Sequence, residues 1–227
     1  MFHALLLPQM NSFAPQTQMP SSSYKTVSQP TYLLARDEDC ENTFHSTADF
    51  MNMYFVMSLL DIDPGEQQVL LMDKFTDGPY YELIKRAFSL NHPVIRHTHY
   101  GGQIVLFKHL VWHLESPAGL IFPRVANPNP MRCHNTNLFS AYRKYILQSF
   151  DLYDQPPPPI PTITVSLRRR TKSKNVGRVM ANEQAVEDVI KEGNMISYSM
   201  LDFGGMSFYE QLKIIRSTNI LIGVHGE

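Results

Sequence analysis

Between Phe44 and Leu60 the apolar residues Phe44, Phe50, Met51, Tyr54, Phe55 and Leu59, with Ser58 beside them, fall at mixed three- and four-residue steps. That period predicts an amphipathic helix, and Asp63-Pro64-Gly65 stops it. Val69 to Met72 then reads as a short strand, followed by Asp73 and the turn Thr76-Asp77-Gly78-Pro79. From Tyr80 to Leu90 a second helix is expected, with Tyr80, Leu83, Ile84, Ala87 and Phe88 on one side. Val94 to His97 and Ile104 to Phe107 look like further strands divided by Gly101-Gly102, and Leu138, Tyr142, Ile146 and Phe150 form a four-residue helical stripe flanked by Phe139 and Leu147.

The run from Gln155 to Pro161 carries consecutive prolines and can be neither helix nor central strand, so it reads as a stiff extended hinge. Beyond it the order is strand (Thr162 to Leu167), basic loop, helix (Asn182 to Lys191), strand (Met195 to Met200), helix (Ser207 to Ser217) and strand (Ile220 to Val224). Ser207 and Glu210 form a capping box for the last helix, and Phe208, Leu212 and Ile215 mark its expected buried face. Alternating strands and helices make this an α/β protein. The divisions that follow are a flexible leader over residues 1–28, an amino-terminal α/β domain over 29–154, the hinge over 155–161 and a second α/β unit over 162–227.

With 43% apolar and 11% aromatic residues the 227-residue chain can build a real core. Lys plus Arg number 20 against 21 Asp plus Glu, a balance that argues against a general nucleic-acid, DNA or membrane-surface binder. No apolar run approaches the ~20 residues of a membrane-spanning helix, and neither a signal peptide nor an anchor is evident, so membrane association would require a longer amino terminus. The two cysteines, Cys40 and Cys133, fit either one disulfide or two buried thiols.

Positive charge is instead local. Arg168, Arg169, Arg170, Lys172, Lys174 and Arg178 follow the first strand of the second unit without an intervening acid. An anionic ligand is the natural counterpart, because a guanidinium at a strand's carboxyl end can fork onto phosphate oxygens; a solvated charge run or a nuclear-import signal is the alternative. The absence of aromatic residues within this loop counts against single-stranded nucleic acid. Gly223-Val224-His225-Gly226 ends the βαβαβ unit on the same sheet edge, where glycines allow close backbone approach to a phosphate. With no GxGxxG after the first strand, a sugar-nucleotide or mononucleotide fits better than NAD.

In the amino-terminal half, His45 and Asp49 are four residues apart and share a helix face, a candidate acid/base pair. The alternative gives Asp49 a first-turn role toward the helix dipole and His45 a near-cap role. His109 and His113 have helical spacing, but a zincin requires Glu after the first histidine and this chain has Leu110.

Several blocks, in order, resemble glycosyltransferase family 61, a group that includes O-GlcNAc transferases and plant xylosyltransferases. Ser207-Phe208-Tyr209-Glu210-Gln211-Leu212, continuing through Asn219-Ile220-Leu221-Ile222-Gly223-Val224-His225-Gly226, is similar to the family's "fleQl…tdiliGvHGAGL". Asn42-Thr43-Phe44-His45 with Asp49-Phe50 is similar to "NxYHxxxDF", and Cys133-His134-Asn135-Thr136-Asn137-Leu138-Phe139 to "CxNTxLFrxF". Arg168, Arg178, Asn182 and Glu183 fall where the family shows "R…RxilNe".

The resemblance implies a GT-B-like α/β fold of two Rossmann-like domains, the second incomplete here. It also implies inverting transfer of a GlcNAc- or xylose-type sugar from a UDP-sugar donor to a protein or glycan hydroxyl, without a required metal or other cofactor. Asp49 and His45 would be catalytic; Arg168, Arg178, Asn182, Gly223, His225 and Gly226 would bind the donor. The secretory pathway, in the Golgi or endoplasmic reticulum lumen, is the implied location. Where the family signature continues Gly-Ala-Gly-Leu, this chain has Gly226-Glu227 and stops, which leads to the expectation of a truncated relative that at most binds nucleotide weakly.

Overall fold

The computed structural model describes residues 23–36, 40–112, 137–156, 158–168, 179–193 and 197–224. Every strand pairing among them is parallel. This is a mixed α/β protein.

Lys25–Val27 (β1) pairs with Val105–Phe107 (β5) in a two-stranded sheet. Part of the expected flexible leader is therefore strand. The main amino-terminal sheet has four strands: Thr31–Leu34 (β2), Gln68–Leu71 (β3), Ile95–Arg96 (β4) and Leu110–Trp112 (β6), in the order β4-β3-β2-β6. Counted by position along the chain, that is the order 3-2-1-4 of a doubly wound sheet, with a switch point between β2 and β6. β2 and β3 are buried throughout and read as continuous runs, TYLL and QVLL, as strands covered on both faces must.

The helix Thr43–Leu60 (α1) connects β2 to β3. Its burial differs in phase from the expected stripe: Phe44, Leu59 and Leu60 are exposed, whereas Ser46, Ala48 to Met53 and Met57 are buried. The middle of α1 is enclosed on almost every side. Phe50, Met53 and Met57 pack with Tyr32, Leu34, Val69, Leu71, Ile84 and Phe88 into the principal core.

The helix expected from Tyr80 to Leu90 is one α-turn, Tyr81–Leu83 (α2), that widens into a π-turn over Ile84–Phe88. The wider turn lets Ile84, Ala87 and Phe88 all face the core. His97 leaves β4 and enters a 3-10 turn, His97–Tyr100, and Trp112 packs beside Leu33, Leu70 and Ile95 as a core residue. Because Leu110–Trp112 is strand, the helical spacing of His109 has no helix behind it. Asn137–Ser149 (α3) buries Ile146 and Leu147, followed by Phe150, while Phe139 at its start is exposed.

Thr162–Leu167 (β7), Glu183–Glu192 (α4), Ser197–Asp202 (β8), Phe208–Arg216 (α5) and Ile220–Gly223 (β9) follow, and their sheet has the order β8-β7-β9. Ile163, Val165 and Leu167 on one face of β7 pack against Val186 and Ile190 of α4. The opposite face is hydroxylic: Thr164 bonds Thr218 at 2.7 Å. α5 turns its apolar side elsewhere. Phe208, Tyr209 and Leu212 pack on the amino-terminal core, whereas Ile215, expected inside, is 42% exposed. Among the described residues, no helix is long and apolar enough to cross a membrane.

Candidate active site

α1 follows β2 in the chain and leads into its parallel neighbour β3, so its first turn stands on the carboxyl side of the amino-terminal sheet. Asn42 caps it, accepting from the N–H groups of Phe44 (3.0 Å) and His45 (3.2 Å). Asn42, Ser46, Asp49 and Asn52 then form a buried polar stripe along an otherwise apolar helix. Asp49 is wholly buried and lies in the second turn, with no acid in the first. The first-turn dipole role therefore does not apply to Asp49. Enclosing a carboxylate in a core is costly, so the position demands a specific purpose. His45, one helical turn earlier on the same face, is partly exposed.

The loop after β3 is held from two sides by arginines. Arg36, 5% exposed, forks onto Asp73 through Nε (2.9 Å) and Nη2 (2.6 Å). It also donates to the carbonyls of Thr76 (2.8 Å) and Asp77 (2.9 Å). Burial by itself lowers the Arg36 pKa, but the hydrogen bonds and charge of Asp73 outweigh it and hold the guanidinium above its ordinary value. From β4, Arg96 donates to the Phe75 carbonyl at 2.8 Å and pairs with Asp77. Gly78 has φ +69°, and a Cβ there would sit 2.9 Å from the Cys40 sulfur, so the turn requires glycine.

This fixed loop delivers Tyr80. Its hydroxyl hydrogen-bonds the Thr43 hydroxyl at 2.5 Å in the first turn of α1. Its ring meets Phe208 edge-on, with centroids 5.4 Å apart, at the first turn of α5. Phe208 also meets Phe150 edge-on, and Tyr209 stacks on Phe150. Arg216, farther along α5, donates to the carbonyls of Tyr153 and Gln155. Since α5 follows β8, Tyr80 joins the carboxyl edges of the two parallel sheets.

On the second sheet, Arg168 directly follows β7 and Gly223 ends β9, its neighbour. They flank the switch point of the β8-β7-β9 order, the place where ligands enter such sheets. A side chain at 223 would add a Cβ 3.5 Å from that of Ser166; glycine leaves this edge open to backbone approach. Asn182 occupies the N-cap position of α4, is exposed, and makes no capping bond with its side chain. The structure thus brings Arg168, Asn182 and Gly223 to one edge, and His45 and Asp49 to the edge joined to it by Tyr80. Arg178, His225 and Gly226, like Arg169 to Lys174 and Cys133, lie outside the described residues. A groove of about 390 Å³ along α5, lined by Met206, Glu210, Lys213, Ile214 and Ser217, contains none of these candidates.

The family model described as Glycosyltransferase 61 matches residues 43–227. This chain belongs to glycosyltransferase family 61. It is 30% identical over 206 residues to the EGF domain-specific O-linked N-acetylglucosamine transferase of Drosophila melanogaster, covering 88% of this chain and 38% of that protein. It is similar to proteins of the same description from Mus musculus, 26% identical over 207 residues, and Xenopus laevis, 24% identical over 206 residues, each covering 88% of this chain. Their coverage is 37% and 38%, so the chain spans little more than a third of the length of these curated relatives.

In this family-61 chain the buried polar residues and loop anchors near the candidate pair leave a weaker trace in the sequence than the pair itself. Ser46 and Asn52 were detectable as polar positions at steps of three from Asp49 inside an apolar helix. Arg36 and Tyr80 carried no comparable signal, because their roles depend on contacts 37 residues away in sequence.

Proposed function

We propose that this chain carries the acid/base helix and the diphosphate-facing edge of an inverting, UDP-sugar-dependent glycosyltransferase of GT-B type. The acceptor is a hydroxyl of a protein or glycan, and the sugar is of the GlcNAc or xylose type. The observation that carries the reading is the Tyr80 contact to both Thr43 and Phe208, which draws the His45 and Asp49 helix to the carboxyl edge holding Arg168 and Gly223. Two parallel sheets, each with a switch point, support the GT-B assignment, and the relatives' names support N-acetylglucosamine as the sugar. The proposal extends to a lumenal site in the Golgi or endoplasmic reticulum, in keeping with membership of family 61.

In this mechanism His45, the more exposed of the pair, takes the acceptor hydroxyl proton. Buried Asp49, one helical turn away on the same face, supplies the negative charge that stabilises the imidazolium. The acceptor oxygen bonds to the anomeric carbon from the face opposite the leaving group, and the carbon–oxygen bond to the diphosphate breaks with its electron pair departing on UDP. Arg168 and the backbone at Gly223, with Arg178, Asn182, His225 and Gly226, stabilise that charge without a required metal.

In the active enzyme, His45→Gln and Asp49→Asn are each expected to lower transfer from UDP-GlcNAc or UDP-xylose by roughly a hundredfold or more while UDP affinity stays constant. Arg168→Ala should instead weaken UDP binding, and that binding should fall as salt rises. Loss of UDP affinity in Asp49→Asn equal to the loss of transfer would assign Asp49 a structural role and overturn the mechanism.

A further inference from the structure

Building on the assignment of His45 as proton acceptor, we infer that Tyr80 is the positioning residue that sets the placement of that imidazole relative to the donor half. Three observations converge on it. The Tyr80 hydroxyl bonds Thr43, two residues before His45 in the same helical turn. The Tyr80 ring is 7% exposed, held between Phe50 of α1 (centroids 6.1 Å, edge-on) and Phe208 of α5 (5.4 Å, edge-on). Its backbone is delivered by a loop whose carbonyls at Phe75, Thr76 and Asp77 accept from Arg36 and Arg96, and whose Gly78 has positive φ.

This arrangement has little freedom. A turn whose Thr76 and Asp77 carbonyls accept from the buried Arg36 guanidinium cannot shift without leaving buried donors unsatisfied. The Tyr80 side chain is consequently a fixed post between two helix starts. It registers the first turn of α1, and hence His45, against the first turn of α5 at the carboxyl edge of the second sheet. Asn42 already satisfies the N–H groups of this turn, so the hydroxyl pair adds position where the cap has supplied local stability. A base displaced by a fraction of an ångström costs catalysis far more than it costs folding.

The test separates position from packing. Tyr80→Phe keeps the ring and both aromatic contacts and deletes the hydroxyl; Thr43→Val deletes the partner, and Thr43→Ser restores it. In the active enzyme, Tyr80→Phe and Thr43→Val should each lower kcat roughly ten- to a hundredfold, with donor KM unchanged within about twofold. The acidic limb of the kcat–pH profile should move, Thr43→Ser should recover most of the rate, and the thermal midpoint should stay close to that of the parent. In the 227-residue chain, the His45 imidazole nitrogen resonances should shift in Tyr80→Phe. Unaltered kcat, pH limb and imidazole resonances in Tyr80→Phe, alongside a His45→Gln enzyme that has lost transfer, would overturn the positioning role alone. A His45→Gln enzyme that transfers normally would overturn the assignment of His45 and this inference with it.

Discussion

Arg36 shows how much one side chain can organise at this sheet edge. Its guanidinium and that of Arg96 together satisfy three successive loop carbonyls, those of Phe75, Thr76 and Asp77. Arg36→Met should therefore destabilise the protein by about 3–5 kcal/mol, because Asp73 is left as an uncompensated buried charge. Adding Asp73→Leu should recover part of that loss. Urea unfolding of the two single variants and the double variant checks this; a single-variant cost under about 1 kcal/mol would place the pair with exposed ion pairs. The charge at Arg36 was visible in the sequence, but its meaning was not. An arginine just past a strand is ordinarily solvated, and only the return of Asp73 from the adjacent strand buries it. Asp49 was more legible, since a carboxylate four residues after a histidine on an apolar helix is itself a conflict between local composition and burial.

At the scale of elements, signals of short range survived best. The Ser207 and Glu210 capping box is present with both reciprocal hydrogen bonds, and β7 spans the residues expected of it. The phase of α1 was misread because the apolar moment assumes one wet face, whereas the buried polar stripe from Asn42 to Asn52 makes the enclosed side look partly hydrophilic. The π-turn at Ile84–Phe88 has no local composition that marks it. The capping box yields a pH test. Hydrogen bonds from the Ser207 hydroxyl, and then from its backbone N–H, hold the Glu210 carboxyl below its ordinary value. A lowered folded value means the contribution is fully present above the ordinary carboxylate range and is lost as pH falls through the folded value. Ser207→Ala should accordingly lower the melting temperature near about pH 6, and its gap from the parent should narrow by about pH 3. Thermal melts followed by circular dichroism decide it; a gap that widens on acidification contradicts the cap.

The whole molecule is tied together by α5. By chain position this helix belongs to the β8-β7-β9 sheet, yet its apolar residues Phe208, Tyr209 and Leu212 serve the amino-terminal core. Arg216 extends the same attachment past the end of α3. Sequence alone placed Phe208 and Leu212 inside but gave no indication of which core receives them, because periodicity specifies a face and not its partner. Among the described residues, the second sheet buries Ile163, Val165 and Leu167 in its own cluster, a small core for independent stability. The two halves should therefore unfold as one cooperative unit, with the aromatic joint transmitting stability from the larger core to the smaller. Phe208→Ala should cost roughly 2–3 kcal/mol, below the value for a fully buried phenylalanine because this ring is only partly enclosed. Phe208→Ala combined with Tyr209→Ala should split the transition, releasing the β8-β7-β9 sheet at lower denaturant while the core around Phe50 and Phe88 persists. Hydrogen exchange resolved by residue measures this directly: amides of β7 should lose protection in the double variant and those of β2 and β3 should keep theirs. Retention of a single transition with uniform protection would show that the two sheets are joined by contacts other than the Tyr80, Phe150, Phe208 and Tyr209 cluster.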